Sequence, residues 1–167
     1  MKRSDDKGVT LIEVLIVMAI SAILLGTVAI SYGLISNANV KKAATRLSNT
    51  IRAARTQSMS MGMERGRLRL YEQHGKVYAQ IGDGAPELMV DSAITCTAKY
   101  SADYNDRTGA VSLATPAELR FTSGGMLKTA GLGGGAYPDN MFLLSNGKKN
   151  MQVLVYLETG MVEMKEY

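Results

Sequence analysis

The run from Val14 to Val40 contains no charged residue, and this stretch limits the fold of the chain most tightly. From Val14 to Ile35 its only polar or helix-weakening members are Ser21, Gly26, Thr27, Ser31, Tyr32 and Gly33. As a helix rising 1.5 Å per residue, this segment reaches roughly 33 Å, against a bilayer hydrocarbon core of about 30 Å. It is therefore expected to cross a membrane. The preceding flank sets Lys2, Arg3 and Lys7 against Asp5 and Asp6, and the positive-inside tendency places that short end in the cytoplasm and the remainder outside. A secretory signal peptide shares the basic start and the apolar stretch, with Ala29-Ile30-Ser31 as a poor cleavage site. Such a peptide has a shorter apolar region, of about 7 to 15 residues, and no use for the carboxylate of Glu13.

Composition divides at the same place. The mean hydropathy of −0.01 averages an apolar start with a remainder that carries most of the charge and nearly all the glycine and tyrosine. Three prolines and no low-complexity tract exclude a mainly disordered chain. The single cysteine, Cys96, excludes an internal disulfide framework and a cysteine-clustered zinc site. A formal charge of +4 over 167 residues is far from the dense positive field of a dedicated nucleic-acid binder.

An acidic residue inside a membrane segment costs about 2.5 to 3.5 kcal/mol near the centre and less at the interface, so Glu13 needs a reason. It lies in Lys7-Gly8-Val9-Thr10-Leu11-Ile12-Glu13-Val14-Leu15, which resembles the N-terminal signature of type IV pilin-like precursors. The resemblance implies a leader of residues 1–8, cut by a membrane peptidase between Gly8 and Val9. It also implies N-methylation of Val9, which stands where that family most often has Phe, and the helix-breaking Pro often found in the family's span is absent here. In a helical filament a desolvated Glu13 can be neutralised by the amino group of Val9 in a neighbouring subunit. Glu13 is by this reading an assembly residue.

Beyond Ile35 the helical period continues. Val40, Ala44, Leu47, Ile51, Ala54, Ser58 and Met61 recur at spacings of four and three, while Lys41, Lys42, Arg46, Arg52 and Arg55 fall elsewhere. One helix from about Leu11 to Met61 follows, its second half needing a surface to pack on. From Gly66 the period becomes two. Leu68 and Leu70 alternate with charged residues, His74-Gly75 is a turn, and Val77, Ala79 and Ile81 alternate again, which predicts a hairpin closed by Asp83-Gly84-Ala85-Pro86. Leu88 to Thr97 reads as one further strand, Leu119 and Phe121 lie in another, and Met141–Leu144, Met151–Leu157 and Met161–Lys165 form a meander through the turns Asn146-Gly147 and Thr159-Gly160. Six to eight strands after a long helix make an α+β protein with an antiparallel sheet packed on the helix.

Arg52-Ala53-Ala54-Arg55, Glu118-Leu119-Arg120-Phe121 with Gly124-Gly125, and Val153-Leu154-Val155 before Thr159-Gly160-Met161-Val162 are similar to the pattern of the H-type minor pseudopilins of type II secretion and the FimT-like minor pilins. The expected organisation is a leader at 1–8, a transmembrane helix at 9–35, an amphipathic helix at 36–63 and a β-rich globular domain at 64–167. The implied partners are other pilin or pseudopilin subunits, the prepilin peptidase and methyltransferase, the membrane platform of the assembly machine, and lipid. The implied setting is a single-pass protein of the cytoplasmic membrane, with its C-terminal domain outside the cytoplasm.

Catalytic chemistry is poorly represented. His74 has no nucleophile placed with it and reads as an exposed turn residue. Gly131 to Gly135 lacks the Lys-Ser/Thr and helix start of a phosphate loop. Asp103, Asn105 and Asp106 lack the closing Glu of a helix-loop-helix calcium site, and Met59, Met61 and Met63 read as flexible packing. No enzyme, cofactor or metal is expected. Arg65, Arg67 and Arg69 on one strand face, with Arg52, Arg55, Lys148 and Lys149, are an alternative basic patch for DNA phosphates, as in the DNA-binding minor pilins of competence pili. Alternating charge is also the ordinary pattern of a solvated strand face.

Overall fold

A computed structural model describes residues 10–128 and 138–167, with the side chains of 26–34 outside the description. Helix α1 runs Leu11–Met61, as its apolar period predicts. The strands are β1 Leu68–Gln73, β2 Lys76–Ile81, β3 Glu87–Val90, β4 Thr95–Lys99, β5 Val111–Ser112, β6 Ala117–Leu119, β7 Met141–Ser145, β8 Asn150–Val155 and β9 Val162–Glu166. The described chain is thus α+β, with a helix packed on antiparallel sheets. It divides after Ser36 into two units.

In the first unit, the described side chains from Leu11 to Leu25 are all exposed. Among the described residues no helix is long and apolar enough to cross a membrane; the span expected at 14–35 falls partly on side chains outside the description.

In the second unit, one stripe of α1 is buried: Val40, Ala43, Ala44, Leu47, Ile51 and Ala54, together with Ser48 and Ser58. Met61, which extends that stripe in sequence, is 61% exposed, where the chain leaves the helix.

Two sheets form where the sequence suggests one. The first has the order β3-β2-β1-β6 and the second β5-β4-β7-β8-β9. The expected single strand Leu88–Thr97 is broken into β3 and β4, one in each sheet. Asp91 turns the corner, its carboxylate accepting the Ser92 N–H at 2.8 Å and its carbonyl the Ile94 N–H at 3.0 Å. Asp91, Ser92 and Ala93 are exposed in succession between the buried Val90 and Ile94, so the in-out pattern stops for the three residues over which the chain passes from one sheet to the other.

The tight turn is as expected. His74 and Gly75 have φ of 53° and 72° between Gln73 and its partner Lys76, which is the left-handed pair that a two-residue hairpin demands. The main core joins the helix stripe to Leu68, Leu70, Leu119, Phe121, Phe142, Leu144, Val153 and Val155 from both sheets. A second, smaller core of Met141, Leu143 and Leu154 lies under Tyr104, Ala110 and Tyr156. The strand β7 is therefore buried on both faces, which explains its unalternated apolar sequence.

Candidate functional site

The N-terminal motif enters the described structure at Thr10; Gly8 and Val9, the expected cleavage and methylation positions, lie outside it. Thr10 caps the helix. Its hydroxyl accepts the Glu13 N–H at 3.3 Å, and its carbonyl accepts the N–H groups of Glu13 at 3.1 Å and Val14 at 3.2 Å. Thr10-Leu11-Ile12-Glu13 thus has the Thr-x-x-Glu spacing of a capping box. Glu13 is exposed in the first turn, where a carboxylate faces the positive end of the helix dipole. The residue whose cost demands a reason also stands in the helix's first turn. Around it stand Leu11 at 86% and Ile12 at 68% exposure, so the carboxylate borders a surface that α1 leaves apolar.

The basic patch does not assemble as the sequence suggests. Strand β1 starts at Leu68, so Arg65 and Arg67 precede it and only Arg69 is a strand residue; the tight turn of 63–66 intervenes between helix and strand. Arg65 lines an open cleft of about 490 Å³ with Thr50, Gln57, Met61, Ile81 and Glu87. Arg67 lies 3.9 Å from Glu64. Arg69 sits 5.8 Å from the Tyr71 ring and opposite Glu118 in the neighbouring strand. Arg120 joins Glu64 at 2.8 Å and Glu118 at 3.3 Å, so acid is interleaved with base across this surface. Lys149 is paired with Glu166 at 2.7 Å.

The helix arginines have a different task. Arg55 donates through Nε to the Gly125 carbonyl at 2.9 Å and through Nη2 to the Thr159 carbonyl at 3.0 Å, while Arg52 donates to the Val162 carbonyl at 2.9 Å. One guanidinium fork thereby ties two turns to α1. At Gly160 a Cβ would fall 1.9 Å from the Gly125 carbonyl oxygen, so the two turns approach too closely for any side chain there. The segments Arg52–Arg55, Gly124-Gly125 and Thr159–Val162, far apart in sequence, meet at this junction. The sequence shows the pieces but not their common purpose as a backbone clamp, because nothing local marks which carbonyls an arginine will reach.

The remaining candidates are engaged in structure. Asp106 accepts from the Lys99 ammonium at 2.8 Å and from the Thr108 hydroxyl and N–H at 2.7 and 3.0 Å. These hydrogen bonds, the lysine's first, hold its carboxyl well below the usual range. Asp103 accepts the Asn105 N–H at 3.0 Å. The loop that carries them is fastened to β8 by Gln152, which accepts from Arg107 at 3.0 Å and donates to the Tyr104 carbonyl at 2.9 Å. Among the described residues no group of three or more His, Cys, Asp or Glu could hold a metal. His74 is exposed in its turn. Met59 and Met61 are exposed at the helix end. Burial pushes the Cys96 thiol up to about 12, with a smaller contribution from the Glu72 charge, which makes it a packing residue. Gly131 to Gly135 lie outside the described residues.

Residues 3–29 match the prokaryotic N-terminal methylation motif. The match supports the pilin or pseudopilin class and indicates a type IV pilin-like subunit processed as a prepilin, with other pilins and a prepilin peptidase as partners in general. No curated protein and no solved structure matches the chain.

Proposed function

We propose that this pilin-like chain is a minor pseudopilin or minor pilin of the H-type, FimT-like group. In this reading it is cut after Gly8 and joins the tip or initiation complex of a type II secretion pseudopilus or a type IV pilus. It is a non-enzymatic subunit, anchored by a single pass at 14–35 with residues 36–167 outside the cytoplasm. The observation that carries the reading is the coincidence in one register of the methylation motif, the Thr10 cap, Glu13 in the first helical turn and the exposed apolar side chains of 11–25. A plain anchor needs the last of these and has no use for the acid. The meeting of Arg52–Arg55, Gly124-Gly125 and Thr159–Val162 at one clamp supports the H-type reading, since it makes those scattered segments one structural unit.

Intact-mass measurement of the protein from cells with an active prepilin peptidase should show the loss of residues 1–8; full-length protein in those cells refutes the reading. Glu13→Gln keeps a side chain able to complete the cap and removes the charge. It should leave cleavage intact and lower incorporation into filaments, and unaltered incorporation would show that the charge is not used in assembly.

A further inference from the structure

Among the described residues strand β9 is the terminal strand of its sheet, and the hydrogen bonds around it show which of its backbone groups are turned outward. Tyr156 N–H bonds the Met161 carbonyl at 2.9 Å and Tyr167 N–H bonds the Asn150 carbonyl at 3.4 Å. In an antiparallel ladder hydrogen-bonded pairs alternate with non-bonded ones, so in the register of β8 with β9 the residues bonded to β8 are 161, 163, 165 and 167. Val162, Met164 and Glu166 therefore turn their N–H and C=O groups away from the sheet. Two further bonds agree with that parity: the Val155 N–H, opposite Val162, goes to Asn140, and the Val162 carbonyl receives Arg52. Around Met164 the edge presents a short ladder for another strand.

We propose that this edge pairs antiparallel with β9 of a second copy of the chain, about a two-fold axis at Met164. The charges select this register. Centred on Met164, the pairing sets Glu163 opposite the second copy's Lys165 and Lys165 opposite its Glu163, with Met164 facing its own counterpart. A shift of one residue of either strand breaks the parity of the ladder. The two nearest self-pairings that keep parity set Glu163 against Glu163 or Lys165 against Lys165, and like charges directly opposed destabilise a sheet. Glu163 and Lys165 already lie 3.2 Å apart within the strand, so both sit on the same face, as opposed residues of an antiparallel pair require. The Val162 carbonyl has a second lone pair beside the one used by Arg52.

A five-residue edge is smaller than the contact of a stable dimer, so the pairing is transient and is best read by capture. In the dimer, residue 163 of one copy and residue 165 of the other form a non-hydrogen-bonded pair, with Cα atoms about 4.5 Å apart, within the span of a disulfide. Full-length Glu163→Cys and Lys165→Cys proteins, purified in detergent, are mixed and oxidised with diamide, with maleimide labelling confirming that both new thiols are accessible. The mixture should yield about tenfold more cross-linked dimer than either variant alone. Association through the apolar helix cannot produce that preference. Equal yields, or no cross-link in the mixture, overturn the proposal.

A second measurement needs no cysteine. The outward N–H groups of Met164 and Glu166 should exchange about tenfold more slowly at high than at low protein concentration. Lys165→Glu should abolish the difference, and the charge-swapped Glu163→Lys/Lys165→Glu protein should restore it. Concentration-independent exchange in the unaltered protein, or failure of the swap to restore protection, overturns the proposed register.

Discussion

From Leu11 to Leu25 helix α1 shows apolar side chains on every side, Leu11, Leu15 and Leu25 among them, all exposed; from Val40 to Ser58 the same helix buries one stripe and leaves Arg46 and other polar residues in water. The backbone geometry is shared, so the contrast lies in the side chains. A stripe is the solution for a helix whose chain supplies a core on one side. An all-round apolar surface belongs to a helix whose surroundings come from outside the chain, as lipid or as other subunits. On the proposed reading the first unit is thus specified for partners and the second for self-burial. The charged residues follow suit, since Glu13 stands at the helix start while Arg52 and Arg55 are used on the chain's own carbonyls.

The sharpest way to break this contrast is to remove the same group from both halves. Leu47 is 0% exposed and Leu15 is 62% exposed. Leu47→Ala should cost about 2 to 5 kcal/mol in denaturant unfolding of the full chain, from lost burial and the cavity left behind. Leu15→Ala should stay within about 0.5 kcal/mol. A comparable loss at Leu15 would mean that the first unit has a folding partner inside its own chain.

The clamp separates fork geometry from charge. Arg55→Ala leaves the Gly125 and Thr159 carbonyls without their donor and should cost about 1.5 to 3 kcal/mol, the range for hydrogen bonds to a charged group. Lysine cannot span two acceptors as a planar fork does, so Arg55→Lys should recover less than half of that loss in thermal unfolding. Full recovery would reduce the clamp to a single charged contact.

The smallest effect concerns acid. Asp106 is depressed below its ordinary value of 3.8, first by the hydrogen bond from Lys99. A depressed carboxyl binds its proton more readily unfolded than folded, so its contribution is present in full above the unfolded value and lost as pH falls through the folded one. Asp106→Asn should flatten the pH dependence of stability below about pH 4 and leave the rest of the profile in place. An unchanged acid limb in pH-scanned unfolding would show that the Lys99 pair contributes nothing.

The sequence was most legible where its signals are local. The bounds of α1 follow from apolar spacing, and the hairpin turn at His74-Gly75 from residues that tolerate positive φ. It was least legible at Asp91–Ile94, where a break of three exposed residues inside an expected strand moves the chain to the other sheet, and at Arg65 and Arg67, which precede the strand whose period they extend. At the site, Glu13 was visible because an acid before an apolar run is costly, whereas the clamp was invisible because its acceptors are backbone carbonyls common to every residue.

By itself the sequence determined the helix, its exposed apolar half, its turns and the N-terminal motif, since each depends on residues within a few positions of one another. Only the tertiary structure decided that the strands divide into two sheets, that Arg52 and Arg55 hold distant turns, and that β9 is left at an edge with opposite charges spaced about Met164. Those outcomes depend on which remote segments meet in the shared core, and periodicity along the chain carries no record of a strand's neighbour.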